Sequence, residues 1–149
     1  MGLGVSNRKP KTANLSFNKP SGIYVDEDNF IYVADTNNDR IKKLDQDGNT
    51  IQEINKYNLN KPNGLIKANG YLYVTDRNND RILKYDMQGS GENFIVGLNK
   101  PEDIFVLTTN DSYGESIYVA DRNNDNIKIY NKNGGLIKTV GNGELNKPS

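Results

Sequence analysis

Carboxylates and amides recur at fixed spacing in this chain. Three stretches read Asp35-Thr36-Asn37-Asn38-Asp39, Asp76-Arg77-Asn78-Asn79-Asp80 and Asp121-Arg122-Asn123-Asn124-Asp125. Oxygens at alternate positions are how a calcium loop begins, because a hard cation gathers many oxygen ligands from one short bend. The rest of such a loop is missing. Its sixth position, a glycine in calcium loops, is Arg40 here, and its twelfth, a glutamate, is Gln46. The second and third stretches end at Met87 and Lys132, so no metal is expected. Catalysis has as little to draw on: the 149 residues include no cysteine and no histidine. Thiolate nucleophiles, zinc knuckles and the commonest general base are therefore excluded. No catalytic residue and no cofactor is assigned.

Nineteen basic and nineteen acidic side chains cancel, leaving no bulk field to gather nucleic acid or anionic lipid. No apolar run approaches the ~20 residues of a membrane helix, so no membrane partner is expected. Met1-Gly2-Leu3-Gly4-Val5 has neither the basic flank nor the apolar stretch of a signal peptide. Compartment stays open, because a thiol-free chain suits any redox environment. Phe, Leu, Ile and Val make up 36 of 149 residues, above the ~20% below which charged chains stay disordered. Asparagine, at 24 residues, gathers where the chain must turn.

The elements that position these turns are repeated. Asn-Lys-Pro occurs at Asn18 to Pro20, Asn60 to Pro62, Asn99 to Pro101 and Asn146 to Pro148, spaced by 42, 39 and 47 residues. Each of the first three is followed by Tyr-Val-Ala/Thr-Asp at Tyr32, Tyr73 and Tyr118, leading into the Asp-x-Asn-Asn-Asp stretch. Within one period the apolar residues alternate with a spacing of two, which predicts strands. In the first copy these fall at Gly22 to Asp26, Phe30 to Ala34, Arg40 to Asp45 and Thr50 to Ile54, with Asp47-Gly48 as the last hairpin turn. Each period is then a four-stranded antiparallel meander. Such a sheet buries both faces only against copies of itself.

Asn-Lys-Pro-Ser-Gly-Ile-Tyr-Val-Asp followed by Ile-Tyr-Val-Ala-Asp-Thr-Asn-Asn-Asp-Arg-Ile resembles the NHL repeat of six-bladed β-propellers, and the resemblance runs from Asn18 to about Val140. It implies an all-β, NHL-type β-propeller with three four-stranded antiparallel blades in an incomplete, half ring. The expected division is an N-terminal segment at 1–17, blades at 18–59, 60–98 and 99–145, and the start of a further repeat at 146–149. Gly2 to Val5 are a candidate outer strand for a neighbouring blade, and the longer hairpin around Tyr113 in the third copy is a candidate contact. Three blades leave sheet faces uncovered. Either the chain continues into further blades, or two identical chains close a six-bladed ring about a two-fold axis. Two departures from the pattern stand out: Asp103 replaces the glycine of Gly22 and Gly64, and Lys43 and Lys84 stand where the third copy has Ile129. Those lysines are expected to pack their stems between sheets with the heads in solvent.

The resemblance also implies that the Asp-x-Asn-Asn-Asp turns and the Asn-Lys-Pro segments share one polar face. Their repeated residues are expected to be structural. Asp35, Asp76 and Asp121 would accept bonds from the turn's own backbone, and Asn37 with Asn38 would supply left-handed geometry. Positions that vary between copies are the candidate partner-binding residues: Thr36, Arg77 and Arg122 in the turn, and Ser21, Asn63 and Glu102 after Asn-Lys-Pro. With Lys19, Lys61 and Lys100 they form a mixed-charge face suited to a protein or peptide. The expected function is thus a non-catalytic scaffold for macromolecular recognition. Two alternatives carry over from the resemblance. One is a propeller enzyme, lyase-like or lactonase-like, with its site in further blades, since Asp103 alone marks the channel mouth here and the lyase's zinc is held by histidines. The other is an RNA-binding propeller, against which the neutral charge and the acidic turns weigh.

Overall fold

The computed structural model describes residues 16–109 and 114–141. The outer-strand reading of Gly2 to Val5, the hairpin tip with Tyr113 and the repeat at Asn146 to Pro148 lie outside them. Twelve strands are formed among the described residues: β1 Pro20–Val25, β2 Ile31–Asp35, β3 Arg40–Leu44 and β4 Thr50–Ile54; β5 Pro62–Ala68, β6 Tyr71–Asp76, β7 Arg81–Tyr85 and β8 Gly91–Ile95; β9 Pro101–Thr108, β10 Glu115–Asp121, β11 Asn126–Asn131 and β12 Leu136–Val140. Each set of four is one antiparallel sheet in chain order. Every first strand starts on its proline, a position in an edge strand where a missing N–H is tolerated.

Local chemistry sets the last hairpin of each sheet. The reading of an Asp47-Gly48 turn needs one correction, because the turn is organised two residues earlier. Asp45 Oδ1 accepts the amides of Asp47 at 3.0 Å and Asn49 at 2.9 Å, and Gly48, at φ +85°, returns its N–H to the Asp45 carbonyl. Asp86 does the same for Gln88 and Ser90, and Asn131 for Asn133 and Gly135. An Asx turn closed by a left-handed glycine is therefore written into each copy.

The sheets stack face to face, and the core lies between them. Tyr32, Ala34, Ile41 and Ile54 of the first sheet meet Leu65, Leu72, Val74 and Leu83 of the second. On its other face the second sheet offers Tyr73, Ile82 and Ile95 to Ile104, Val106, Ile117 and Val119 of the third. Alternation along each strand thus serves two separate cores. In both seams the first strand of the later sheet packs on the first and second strands of the earlier one. The fourth strands form one edge of each sheet, and on β12 Leu136 and Ile137 are exposed.

The lysine expectation is corrected by the aromatics beside it. Lys43 Nζ lies 4.4 Å from the Phe30 ring centre, and Lys84 Nζ lies 4.2 Å from Tyr71 and 5.0 Å from Phe94. Both heads rest on rings, where the ring quadrupole attracts the cation. The buried lysine is instead Lys42, at the position of Leu83 by strand register and near the Phe17 ring.

Ile82 is fully buried between sheets, whereas Ile137 is 58% exposed. Truncating Ile82 to alanine is expected to cost about 2–4 kcal/mol in urea unfolding, and Ile137→Ala less than about 0.5 kcal/mol. Equal costs would mean that the stacked faces are not the core.

Candidate recognition face

The turn after each second strand is a short 3-10 segment, Thr36–Asn38, Arg77–Asn79 or Arg122–Asn124. The aspartate before it is fully buried in all three copies. One oxygen of Asp35 accepts the Asn18 amide at 2.7 Å; the other accepts Asn38 Nδ2 at 2.9 Å and Arg40 Nε at 2.7 Å. Asp76 repeats this with the Asn60 amide, Asn79 and Arg81. The carboxylate therefore does not serve its own turn's backbone, as the spacing suggests. It latches the Asn-Lys-Pro segment, far away in sequence, to the turn. A backbone bond completes the latch, from Asn37 N to the Asn18 carbonyl at 2.9 Å and from its counterparts Asn78 and Asn123.

In the third copy the cation arrives by another route. Asn126 stands where Arg40 and Arg81 stand, and Lys128, two residues on, donates to Asp121 Oδ2 instead. Left-handed geometry belongs to the last aspartate of each stretch, not to the asparagines: Asp39, Asp80 and Asp125 have φ of 54°, 56° and 55°. This places their carboxylates toward the next sheet. Asp39 Oδ1 accepts the Lys61 amide at 2.8 Å, and Asp80 Oδ1 the Lys100 amide at 2.9 Å and Lys100 Nζ at 3.3 Å. With both outer aspartates of the first stretch so engaged, the alternate oxygens do not converge on one point. Among the described residues no three carboxylates are grouped to hold a metal ion.

Of the six variable residues, five sit in the seams. Ser21 Oγ and Thr36 Oγ1 donate to the Asn63 and Pro62 carbonyls of the second sheet at 3.2 and 2.8 Å. Asn63 Nδ2 donates to the Glu102 carbonyl at 2.6 Å, and Arg77 Nε to the Glu102 carboxylate at 3.2 Å. Variation between copies there tracks a change of partner across each seam. Arg122 is the outlier, 58% exposed with its nearest carboxylate oxygen, on Glu102, at 3.8 Å. Asp103 lies beside Gly64, whose Cβ would fall 2.8 Å from its Oδ1, so the first strands approach too closely there for a second side chain.

Where the second and third turns meet, an open polar depression of about 630 Å³ is lined by Arg77, Asn99, Lys100, Arg122, Asn123 and Asp125. The latches tie the backbone beside it, with Asn123 N bonded to the Asn99 carbonyl and the Asn99 amide to Asp121 Oδ1. At the opposite rim the seams carry a second set of polar ties that the sequence reading missed. Asp26 accepts Tyr32 OH at 3.3 Å and Lys67 Nζ at 3.2 Å, while Glu115 accepts Tyr73 OH at 3.2 Å and Asn69 Nδ2. Burial and the Asp26 charge push the Tyr32 hydroxyl up to about 12.

Burial alone would raise the Asp35 and Asp121 carboxyls. The Asn18 amide, Asn38 and Arg40 more than offset this for Asp35, as Lys128, the Asn99 amide and Asn124 do for Asp121, and both are lowered. A carboxyl lowered in the folded state adds stability above its unfolded value of ~3.9, and that stability is lost as pH falls through the folded value. Unfolding free energy is therefore expected to be flat from neutrality to about pH 5 and to fall below about pH 4. Asp35→Asn should cost about 2–4 kcal/mol at neutral pH, since Arg40 is only 22% exposed, and should shrink the acid-side loss. A variant whose urea midpoint follows the wild-type pH curve would remove Asp35 from the latch. Lys128→Leu is expected to cost about 1–3 kcal/mol, and adding Asn126→Arg to restore most of it, because the pair recreates the second copy.

Residues 17–44 match the family model of the NHL repeat. Among solved structures the chain is similar to a streptogramin B lyase, at 19% identity over 81% of this chain and 40% of that one, with a TM-score of 0.68. A virginiamycin B lyase from Staphylococcus aureus is similar at 20% identity, 81% and 40% coverage and a TM-score of 0.65. A nidogen/laminin complex gives 23% identity, 81% and 48% coverage and a TM-score of 0.66. The chain thus spans two fifths to about half the length of these structures. No match is found among curated protein sequences. The first sheet thus carries an NHL repeat, and the three sheets stack as the blades of a β-propeller fold.

Proposed function

We propose that the protein is a non-catalytic scaffold that recognises another protein or a peptide through its turn face. The observation that carries this reading is the open polar depression between the second and third turns, lined by Arg122 with its side chain 58% exposed. Arginine, asparagine amides and a carboxylate in one open hollow offer donors and acceptors of both signs. Such a surface matches the mixed hydrogen-bonding of a polypeptide better than the uniform charge of a nucleic acid backbone. The latches support it as well: a site whose backbone is already tied needs little ordering when a partner binds. In this reading no bond is made or broken. The nidogen/laminin structure, a protein complex by its name, is in keeping with the proposal, whereas the lyases share its fold.

The experiment is affinity capture from a lysate of the source organism, treated with ribonuclease, on the immobilised protein. Arg122→Glu combined with Asn123→Lys reverses the chemistry of the hollow. Proteins held by the wild type are expected to drop at least tenfold on the variant when both are read by quantitative mass spectrometry. Identical profiles, or retention abolished by ribonuclease alone, would overturn the proposal.

A further inference from the structure

The hollow between the second and third turns is not electrically even. Arg77, Lys100 and Arg122 line it against a single carboxylate, Asp125. Each of these cations has an acidic neighbour, Asp80 for Lys100 and Glu102 for both arginines, yet neither Asp80 nor Glu102 is part of the lining. The hollow therefore meets the donors and not the acceptors that steady them. The two arginines also share one counter-charge. Glu102 Oε2 accepts Arg77 Nε at 3.2 Å, while Arg122 Nη1 stays 3.8 Å from the same oxygen, beyond hydrogen-bond reach. A guanidinium is a fork of N–H donors that matches both oxygens of a carboxylate, so a single shared oxygen leaves most of both forks unused.

The asparagines of this hollow differ from their counterparts in the other copies. Asn37 Nδ2 donates to Asn18 Oδ1 at 3.4 Å, and Asn78 Nδ2 to Asn60 Oδ1 at 3.3 Å. In the third copy no such bond joins Asn123 to Asn99 among the described residues, and both residues line the hollow. A side-chain amide offers a donor and an acceptor together, which is what a peptide group requires. Resting on the proposed function, we infer that the segment bound here is an acidic peptide, with one glutamate or aspartate carboxylate held between Arg77 and Arg122 and the adjoining peptide groups paired by Asn99 and Asn123. Glu102 then competes from within the chain for the same two guanidiniums. A nucleic acid backbone fits less well, because its run of phosphates meets Asp125 in the same lining.

Fluorescence anisotropy tests this with a labelled peptide, Gly-Glu-Glu-Glu-Glu-Gly, its glutamine counterpart and a labelled oligouridylate, each titrated with the whole chain. The glutamate peptide is expected to bind at least tenfold tighter than the glutamine one, with a preference that shrinks as salt rises. Arg122→Gln, at an exposed position, should weaken it about tenfold, and Glu102→Gln should tighten it about threefold by releasing both arginines. Circular dichroism of the variants confirms that the sheets persist. Equal binding of the two peptides, indifference to Arg122→Gln, a weaker complex in Glu102→Gln, or oligouridylate bound as tightly as the glutamate peptide would overturn the inference. Lysate capture that depends on Arg122 and Asn123 without any glutamate preference would overturn this inference alone and leave the proposed function standing.

Discussion

A buried carboxylate at the end of every second strand is the constraint on which the remaining structure depends. Asp35, Asp76 and Asp121 are closed off from solvent, and a charge so placed is tolerable only with full pairing. Each obtains a backbone amide, a side-chain amide and a cation. Meeting those three demands fixes the turn, the start of the first strand and the base of the third strand relative to one another. The polar face therefore inherits its shape from a need to neutralise charge in the interior, and the exposed residues ride on a frame already determined.

Stacking supplies what the latches cannot. One four-stranded sheet leaves both its faces apolar, and each seam removes one face of each sheet from water. The polar ties across the seams, Ser21 and Thr36 in one and Asn63 and Arg77 in the other, differ in chemistry but end on the same stretch of the next blade's first strand. Hydrophobic contact gives the cohesion, and these bonds set the azimuth at which one blade meets the next.

The fold was legible because alternation and repetition are properties of residue type and spacing. The four-strand period, the Asn-Lys-Pro starts and the Asp-x-Asn-Asn-Asp turns all correspond to elements of the structure. What escaped the sequence reading was the direction of side chains across the seams. Asp35 lies one residue before its turn, so its own backbone was the nearest apparent partner; its actual partner, Asn18, is brought near only by strand pairing. Ser21, Thr36, Asn63 and Arg77 vary among copies, and variation suggested an external ligand. Each in fact answers a neighbouring blade that also varies. One signal was available: the cation on the latch moves from Arg40 and Arg81 to Lys128 just where Asn126 replaces arginine, a compensation visible once the strand positions are aligned.

The glycines at 22 and 64 carry a further consequence for how such an array can be assembled. A side chain at either place would collide with the blade that follows, while the third copy has Asp103 in that place. The three copies are thus not interchangeable modules. Grafting the third copy's first strand into the place of either of the others would press the Asp103 side chain against the backbone of the first strand that follows, so clearance where the first strands converge limits which copy can stand at the two described seams.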